Sequence, residues 1–534
     1  MTQPAFRPTF VLAASLLLSA CGGGGGGGSD PTPPPPTLPD PQYLATGPTP
    51  FTADCDAATP SGTLYVNAEV EPWVAVNPRN SGNLIGVWQQ DRWSNGGARG
   101  LMTGVSVDGG KAWAPAMAAF SRCTGGTAAN GGDYARASDP WVTFAPDGTA
   151  HQISLSFTGT SLTAGSDNAV LASRSIDGGR TWSNPVTLIR DGEDHFNDKE
   201  SITADRLDSR YVYAVWDRLD ADGTSPAWFA RSVDSGLTWE PARMIYDPGR
   251  SASTINHQIV VLNDSTLIDF FTKFSTAGNA IVTTLNVIRS QDKGLTWSPP
   301  IVVAAAQAIG ARDPETGTPV RDGASLGAIA TGPTGDLAVV WQDSRFVNGA
   351  RDQIAFSRST DGGLTWSAPT RINRDSSVQA FLPSVTIRAD RVIGVAYYDF
   401  RSNTADAATL PTDYWIARST DGGATWTESR VAGPFDLDTA PNAGGLFLGD
   451  YQALTSIGSV FVPFYAQTTG STSNRTDVFA SLISSVGTAL GSKDAVVDGA
   501  MRAVTAPLLP VTPQLEAAFS ESAARVMARR MVGR

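Results

Sequence analysis

Histidine and cysteine are scarce in this chain of 534 residues, with three of each. No histidines stand at ligand spacing and no cysteine pair has the spacing of a zinc site, so no metal and no cofactor are expected. Charge is sparse too, at 17% of residues, and short of the positive sign: 39 Lys and Arg against 51 Asp and Glu leave a net charge of −12. That balance argues against a nucleic-acid partner, which would need a basic patch. Long apolar runs are missing as well. Phe10 to Leu18 is mostly apolar but too short to span a bilayer, and no stretch of transmembrane length follows it.

What the chain does have is repetition. One phrase, Ser-x-Asp-x-Gly-x-Thr-Trp, occurs six times: Ser106–Trp113, Ser175–Trp182, Ser232–Trp239, Ser290–Trp297, Ser359–Trp366 and Ser419–Trp426. Only the first copy departs at the seventh place, with Ala112 for Thr. The aspartates Asp108, Asp177, Asp234, Asp292, Asp361 and Asp421 lie 69, 57, 58, 69 and 60 residues apart, the period of a repeated supersecondary unit. Each phrase reads as the turn of a β-hairpin. The Asp carboxylate accepts hydrogen bonds from amides just downstream, the Gly supplies a positive φ, and the Trp is an apolar anchor.

These phrases resemble the Asp-box, or BNR repeat, of the sialidase-like β-propellers, over residues 62–487. The resemblance implies an all-β fold of four-stranded antiparallel blades, with the six boxes in structural rather than chemical roles. Each unit reads as strand, aromatic-ended strand, strand, Asp-box turn, strand. Unit one begins at Glu71–Val76, units two to six near Asp139, Ser201, Asn256, Ala324 and Phe381. A seventh stretch without a box runs through Gly449–Leu454, Val460–Tyr465 and Asp477–Ile483. Seven blades are therefore expected, the last completed by Thr63–Val66, with six as the alternative.

The ends differ from the repeats. Residues 1–20 read as an export signal, and Leu18-Ser19-Ala20-Cys21 resembles the lipobox of bacterial lipoproteins, which implies that Cys21 is lipidated. Residues 21–61 read as a tether, flexible Gly22–Gly28 followed by a proline-rich stretch to Pro50. The chain is thus expected at the bacterial cell envelope, on the outer membrane or cell surface, meeting the membrane only through the lipid, as a monomer. In an exported protein Cys55 and Cys123 can pair. The tail, 488–534, holds a short helix from Thr512-Pro513, with Leu515, Phe519 and Val526 at helical spacing and Arg525, Arg529, Arg530 and Arg534 late.

In an antiparallel meander the boxes mark one face, so the ends of second strands and starts of first strands mark the other. There stand Asp91-Arg92, Asp217-Arg218, Asp343-Ser344-Arg345 and Asp399-Phe400-Arg401, with Lys273, and beside the first strands Glu71, Asp139, Asp198-Lys199-Glu200, His257 and Asp450-Tyr451. A concave polar site there is the default place for a ligand. True sialidases hold a sugar carboxylate with three arginines, attack with a tyrosine assisted by a glutamate, and use an aspartate as acid/base. Their first arginine sits in a Phe/Tyr-Arg-Ile-Pro motif, which is absent here; the region reads Val70-Glu71-Pro72-Trp73. Position alone then nominates Arg92, Arg218, Arg345, Arg401, Lys199 and His257 as ligand binders, Glu200 with Tyr398 or Tyr451 as nucleophile pair, and Asp198 as acid/base. Two functions follow: a glycoside hydrolase of sialidase type, or a non-catalytic propeller binding glycan or protein at the same mouth. In the second, each arginine should be paired with its own unit's aspartate.

Overall fold

The six tryptophan-bearing phrases fold as six near-identical hairpin turns. In the second, Thr181 N and Oγ1 donate to the two Asp177 carboxylate oxygens at 3.0 and 2.6 Å, Ser175 Oγ donates to Asp177 at 2.8 Å, and Gly179 N donates back to Ser175 Oγ at 2.9 Å. Burial opposes ionisation, but these donors together outweigh it and hold the carboxyls of Asp177, Asp292 and Asp361 down at about 2. In the first copy Ala112 offers only its amide, so Asp108 lacks the hydroxyl bond that the other five make. The glycine is required: Gly294 has φ 84°, and a Cβ there would meet the Phe229 ring at 2.6 Å.

The computed structural model describes residues 41–57, 62–250, 252–277 and 280–484. The expected export signal, the lipid site at Cys21, the tether up to residue 40 and the tail helix lie outside the described residues. Within them the chain is all-β. Units three, four, five and six are each a four-stranded antiparallel sheet in sequence order, for example His195–Ala204, Val212–Asp220, Ala227–Ser232 and Arg243–Tyr246. Units one (Leu64–Val76, Leu84–Trp93, Ala98–Ser106, Ala114–Ala116) and two (Arg136–Phe144, Ala150–Thr158, Asp167–Ser175, Val186–Asp191) repeat that order, linked by a single bridge, Ala98 to Ala137. The seventh stretch supplies Ala453–Ile457, Val460–Thr468 and Thr476–Ser481.

Its fourth strand corrects the sequence reading. Leu64 and Tyr65 pair with Trp93 and Arg92 inside unit one, so they are not free to complete unit seven. Gln42–Leu44 does so instead, antiparallel to Phe479–Ser481, which brings Ala45 against Val478 and Ala480. The stretch read as tether therefore contributes a strand, and it is tied down further by a disulfide between Cys55 and Cys123, Cα atoms 4.9 Å apart.

Each box tryptophan packs on the unit before its own. Trp297 meets Phe229 of unit three edge-on at 5.7 Å, Trp426 meets Phe356 of unit five at 5.2 Å, and Trp113 of unit one meets Phe464 of unit seven at 5.3 Å. Trp182 and Trp366 join the cores containing Ile85 and Val87 of unit one and Phe270 of unit four. Trp239 joins Ile153 and Val170 of unit two. The first strands of consecutive units are neighbours, and that of unit seven neighbours that of unit one. The boxes share a side: Asn83 donates to Gly178 O at 3.1 Å and Arg231 to Lys293 O at 2.8 Å, in each case reaching the next unit's box.

The missing hydroxyl in box one gives a direct test. Ala112→Thr should stabilise the protein by about 0.5–1 kcal/mol, and Thr296→Ala should destabilise it by a similar amount, in urea unfolding. Equal stability for both variants would remove the hydroxyl from the account.

Candidate functional site

First strands carry the polar residues, and their backbone explains where these point. Five first strands hold a β-bulge whose opening residue has a left-handed φ: Glu71 (54°), Asp139 (52°), Lys199 (51°), Asn256 (64°) and Leu382 (53°). A non-glycine residue there costs about 1–2 kcal/mol, and a bulge re-aims its side chain out of the ladder. Glu71, Asp139 and Lys199 are turned toward one another in this way. Lys199 Nζ donates to Asp139 at 2.7 Å, to Asp450 at 2.8 Å and to Glu71 at 3.2 Å. One ammonium, only 4% exposed, thus ties unit three to units one, two and seven.

A second cation closes the cluster. Arg321 Nε and Nη2 donate to the two Asp450 oxygens at 3.0 and 2.7 Å, and its guanidinium lies 4.5 Å from the Phe447 ring. The Arg92 guanidinium contacts the same ring at 4.9 Å. Val320-Arg321 and Leu446-Phe447 pair in parallel as a two-stranded strap beside Asp450. Sequence reasoning missed Arg321. Its one signal was the long stretch between strands, from Ala305 to Ala328, which exceeds an ordinary connection.

Carboxylates outnumber cations here, and the protonation states adjust. Burial and then Asp139 push Glu200 well above the usual range, and burial with Asp198 does the same to Asp217. Glu71 rises to about 7: burial, Asp139 and Asp450 outweigh the pull of Lys199 and Arg92. Burial would raise Asp450 also, but Arg321 and Lys199 hold it ionised, well below the usual range. Burial disfavours the Lys199 charge, yet Asp139, Asp450 and Glu71 overcome it and keep the proton on. Among the described residues no group of three His, Cys, Asp or Glu side chains is placed to hold a metal ion.

The nominated catalytic set is partly assembled. Neither oxygen of the buried Glu200 carboxyl has a hydrogen-bond partner from another residue. Tyr451 stands near it, its hydroxyl donating to Pro140 O at 3.2 Å, and burial with Glu71, Asp139 and Glu200 keeps that phenol neutral. The Tyr451 ring adjoins the stacked pair Trp73 and Trp141, whose centroids are 3.3 Å apart. Asp198 accepts from Lys199 N at 3.1 Å. Tyr398 does not join them. It is buried among Phe381, Phe400 and Tyr414 with its hydroxyl donating to Ala466 O at 2.7 Å, so the Glu200–Tyr398 pair is not formed. His257 is turned into the sheet, Nδ1 at 2.9 Å from Asp269 and the ring stacked on Phe271.

The arginines are each engaged. Arg345 grips Asp343 with two bonds of 2.7 Å, and Arg401 binds Asp399 at 2.6 Å and Glu428 at 3.0 Å while lying 3.6 Å from the Trp415 ring. Arg218 takes Asp191 of the preceding unit, at 2.8 and 2.6 Å, rather than its neighbour Asp217. Arg92 donates to Gln89 at 2.9 Å and is fully buried. Lys273 reaches the Tyr246 hydroxyl at 3.1 Å. The four guanidinium groups therefore do not converge on one point.

A second buried acidic pair holds the base of the strap. Asp352 accepts from Ile309 N at 3.0 Å and Gly310 N at 2.8 Å, and Asp322 accepts from Ala311 N at 2.8 Å and Gln342 at 2.7 Å. Burial lifts Asp322 to about 7, and burial with Asp322 lifts Asp352 to about 8.

Residues 211–456 match the family described as BNR repeat-like domain. No curated protein matches the chain in sequence. Among solved structures, a protein of unknown function from Dyadobacter fermentans is 14% identical, with 79% of this chain and 96% of that one covered and a TM-score of 0.42. An α-L-arabinofuranosidase of Fusarium graminearum with an iminosugar inhibitor is 13% identical over 68% of this chain and 92% of its own, TM-score 0.42. A sialidase of Streptococcus pneumoniae is 14% identical over 65% and 67%, TM-score 0.38. Over residues 211–456 the repeats are thus BNR repeat-like.

Folded-state pKa values above the unfolded value of about 3.9 mean stability that is complete at acid pH and lost as pH rises through about 8. Unfolding free energy should therefore fall between pH 5 and pH 8.5, by on the order of 5 kcal/mol for Asp322 and Asp352 together. Asp352→Asn should flatten that fall; an unchanged pH profile would contradict the assignment.

Proposed function

We propose that this BNR-repeat propeller has seven blades, is held at the cell envelope by a lipid on Cys21, and binds extracellular glycans without cleaving them. Seven fits the cycle of neighbouring first strands and the Trp113–Phe464 contact between unit one and unit seven. The glycan class follows from the resemblance of the repeats, and the binding mouth is the side opposite the Asp-boxes, where second strands end.

One observation carries the choice of binding over hydrolysis. The arginines that a sialidase would gather round one sugar carboxylate are spent on separate partners: Arg345 on Asp343, Arg401 on Asp399 and Glu428, Arg218 on Asp191. Carboxylates near the first-strand bulges are likewise enclosed, Glu71 at 1% and Glu200 at 2% exposure. A paired, desolvated guanidinium gives up its partner only at the cost of leaving a buried charge unpaired, so these groups support the scaffold rather than a ligand.

A hydrolase remains the second reading, favoured by Glu200, a buried carboxylic acid without a partner beside a neutral Tyr451. A raised carboxyl of that kind is what protonates a leaving group in glycoside hydrolysis. Release of a fluorescent aglycone from a panel of glycosides, sialosides included, separates the two. The wild type should retain glycans on an array and release no aglycone. Turnover that disappears in Glu200→Gln would establish the hydrolase instead.

A further inference from the structure

We infer that the side of the domain bearing the Asp-box hairpins is a lipid-facing surface that lies against a phospholipid bilayer. This rests on the lipid-anchor part of the reading above and adds which side of the propeller meets the membrane.

Both ends of the described chain arrive on that side. Third strands run toward the hairpins, ending at Ser106, Ser175 and their equivalents, and Thr476–Ser481 runs the same way in unit seven. Gln42 pairs with Ser481, the last residue of that strand, so the chain enters from residue 41 beside the hairpins. It leaves there too. Ile483 pairs with Phe461, Leu482 lies beside Gly110 of the first hairpin, and Ser484 O accepts from Arg418 Nη1 at 3.3 Å, one residue before the sixth hairpin. Nineteen residues separate Cys21 from Pro41, a reach of at most about 70 Å.

The same side carries the exposed apolar surface. Among the described residues eight large apolar side chains are at least half exposed; five stand on these turns, Val107 (58%), Ile176 (78%), Leu237 (59%), Leu295 (57%) and Leu364 (51%), and Leu207 (50%) stands on the turn between the first two strands of unit three, at the same end of that sheet. Single exposed apolar residues are ordinary, but here one side repeats them across five consecutive units. The turns also suit the lipid interface chemically. Each Asp-box carboxylate already accepts its own hairpin amides, such as Thr181 N, Thr238 N, Thr296 N and Thr365 N. Little backbone polarity is therefore left to strand when a tip enters the headgroup layer. The hairpin tips carry charges of both signs, Asp177 with Arg180 and Asp108 with Lys111, so the favoured headgroup is zwitterionic rather than anionic. The mouth opposite the boxes then faces away from the membrane, where an extracellular glycan is met.

The test uses the full-length, acylated protein on phosphatidylcholine vesicles. Ile176→Cys provides a single free thiol, since Cys55 and Cys123 are paired and Cys21 carries the lipid. An environment-sensitive fluorophore at 176 should shift to the blue and be quenched by nitroxide-bearing lipid. The same label at Ala407→Cys, exposed in the loop after Ile393–Asp399, should stay aqueous and unquenched. Adding Leu237→Asp and Leu295→Asp should reverse the shift at 176 while the protein still floats with the vesicles. Flotation with a label at 176 as wet as at 407 overturns the surface and leaves the anchor standing. A blue shift at 176 without vesicles assigns the face to a second copy if it depends on concentration, or to the chain's own residues 485–534 if it does not, and overturns the inference either way. Failure to float overturns both readings.

Discussion

One contact, repeated, organises this protein: the indole of each Asp-box packs on the sheet of the unit before its own. An isolated four-stranded sheet cannot cover both faces, so each unit depends on its predecessor for burial. Where the series would run out, Trp113 of the first unit lies on Phe464 of the last, which turns a row of sheets into a cycle. The hairpin that carries the indole is rigid because its Asp, Ser and Thr satisfy one another and the local amides. Apolar association between units and polar closure within each turn thus come from the same eight residues.

That arrangement sets the conditions at the first strands. Brought side by side, they leave little room for side chains, and bulges aim charged residues from several units at one another. Lys199 holds the result together, bridging carboxylates from three other units. Burying so many acids with two cations is costly, and the cost appears as protons retained by Glu200, Asp217 and Glu71 near neutral pH. Of the residues that resemble an active site in composition, Arg218, Arg345 and Arg401 are closed in ion pairs, while the Glu200 carboxyl takes no partner from another residue.

Much of the fold was legible in the sequence because a strict repeat encodes it. The Ser-x-Asp-x-Gly turns, the unit boundaries and the unusual first box at Ala112 all read directly from residue types. Convergence of Glu71, Asp139, Lys199 and Asp450 also followed from strand order. Pairing was not legible. Nothing local tells Arg218 to take Asp191 instead of Asp217, since that choice depends on the approach of the preceding unit's last strand. Arg321 and the strap were missed because they lie in a connection without period, and the closing strand Gln42–Leu44 because its proline-rich flank reads as linker. Tyr398 and Tyr451 are nominated alike from the sequence, but the Tyr398 hydroxyl donates to Ala466 O inside an aromatic core, whereas Tyr451 donates to Pro140 O beside the Trp73–Trp141 stack.

The most direct test of the cycle is a double-mutant cycle across its seam, with Trp113→Ala, Phe464→Ala and the pair compared by urea unfolding. If these rings join first unit to last, each single variant should lose about 3–5 kcal/mol and the two should couple by about 0.5–1.5 kcal/mol. Strictly additive losses would mean that the first and last units do not depend on each other, and the cycle on which the rest is built would be contradicted.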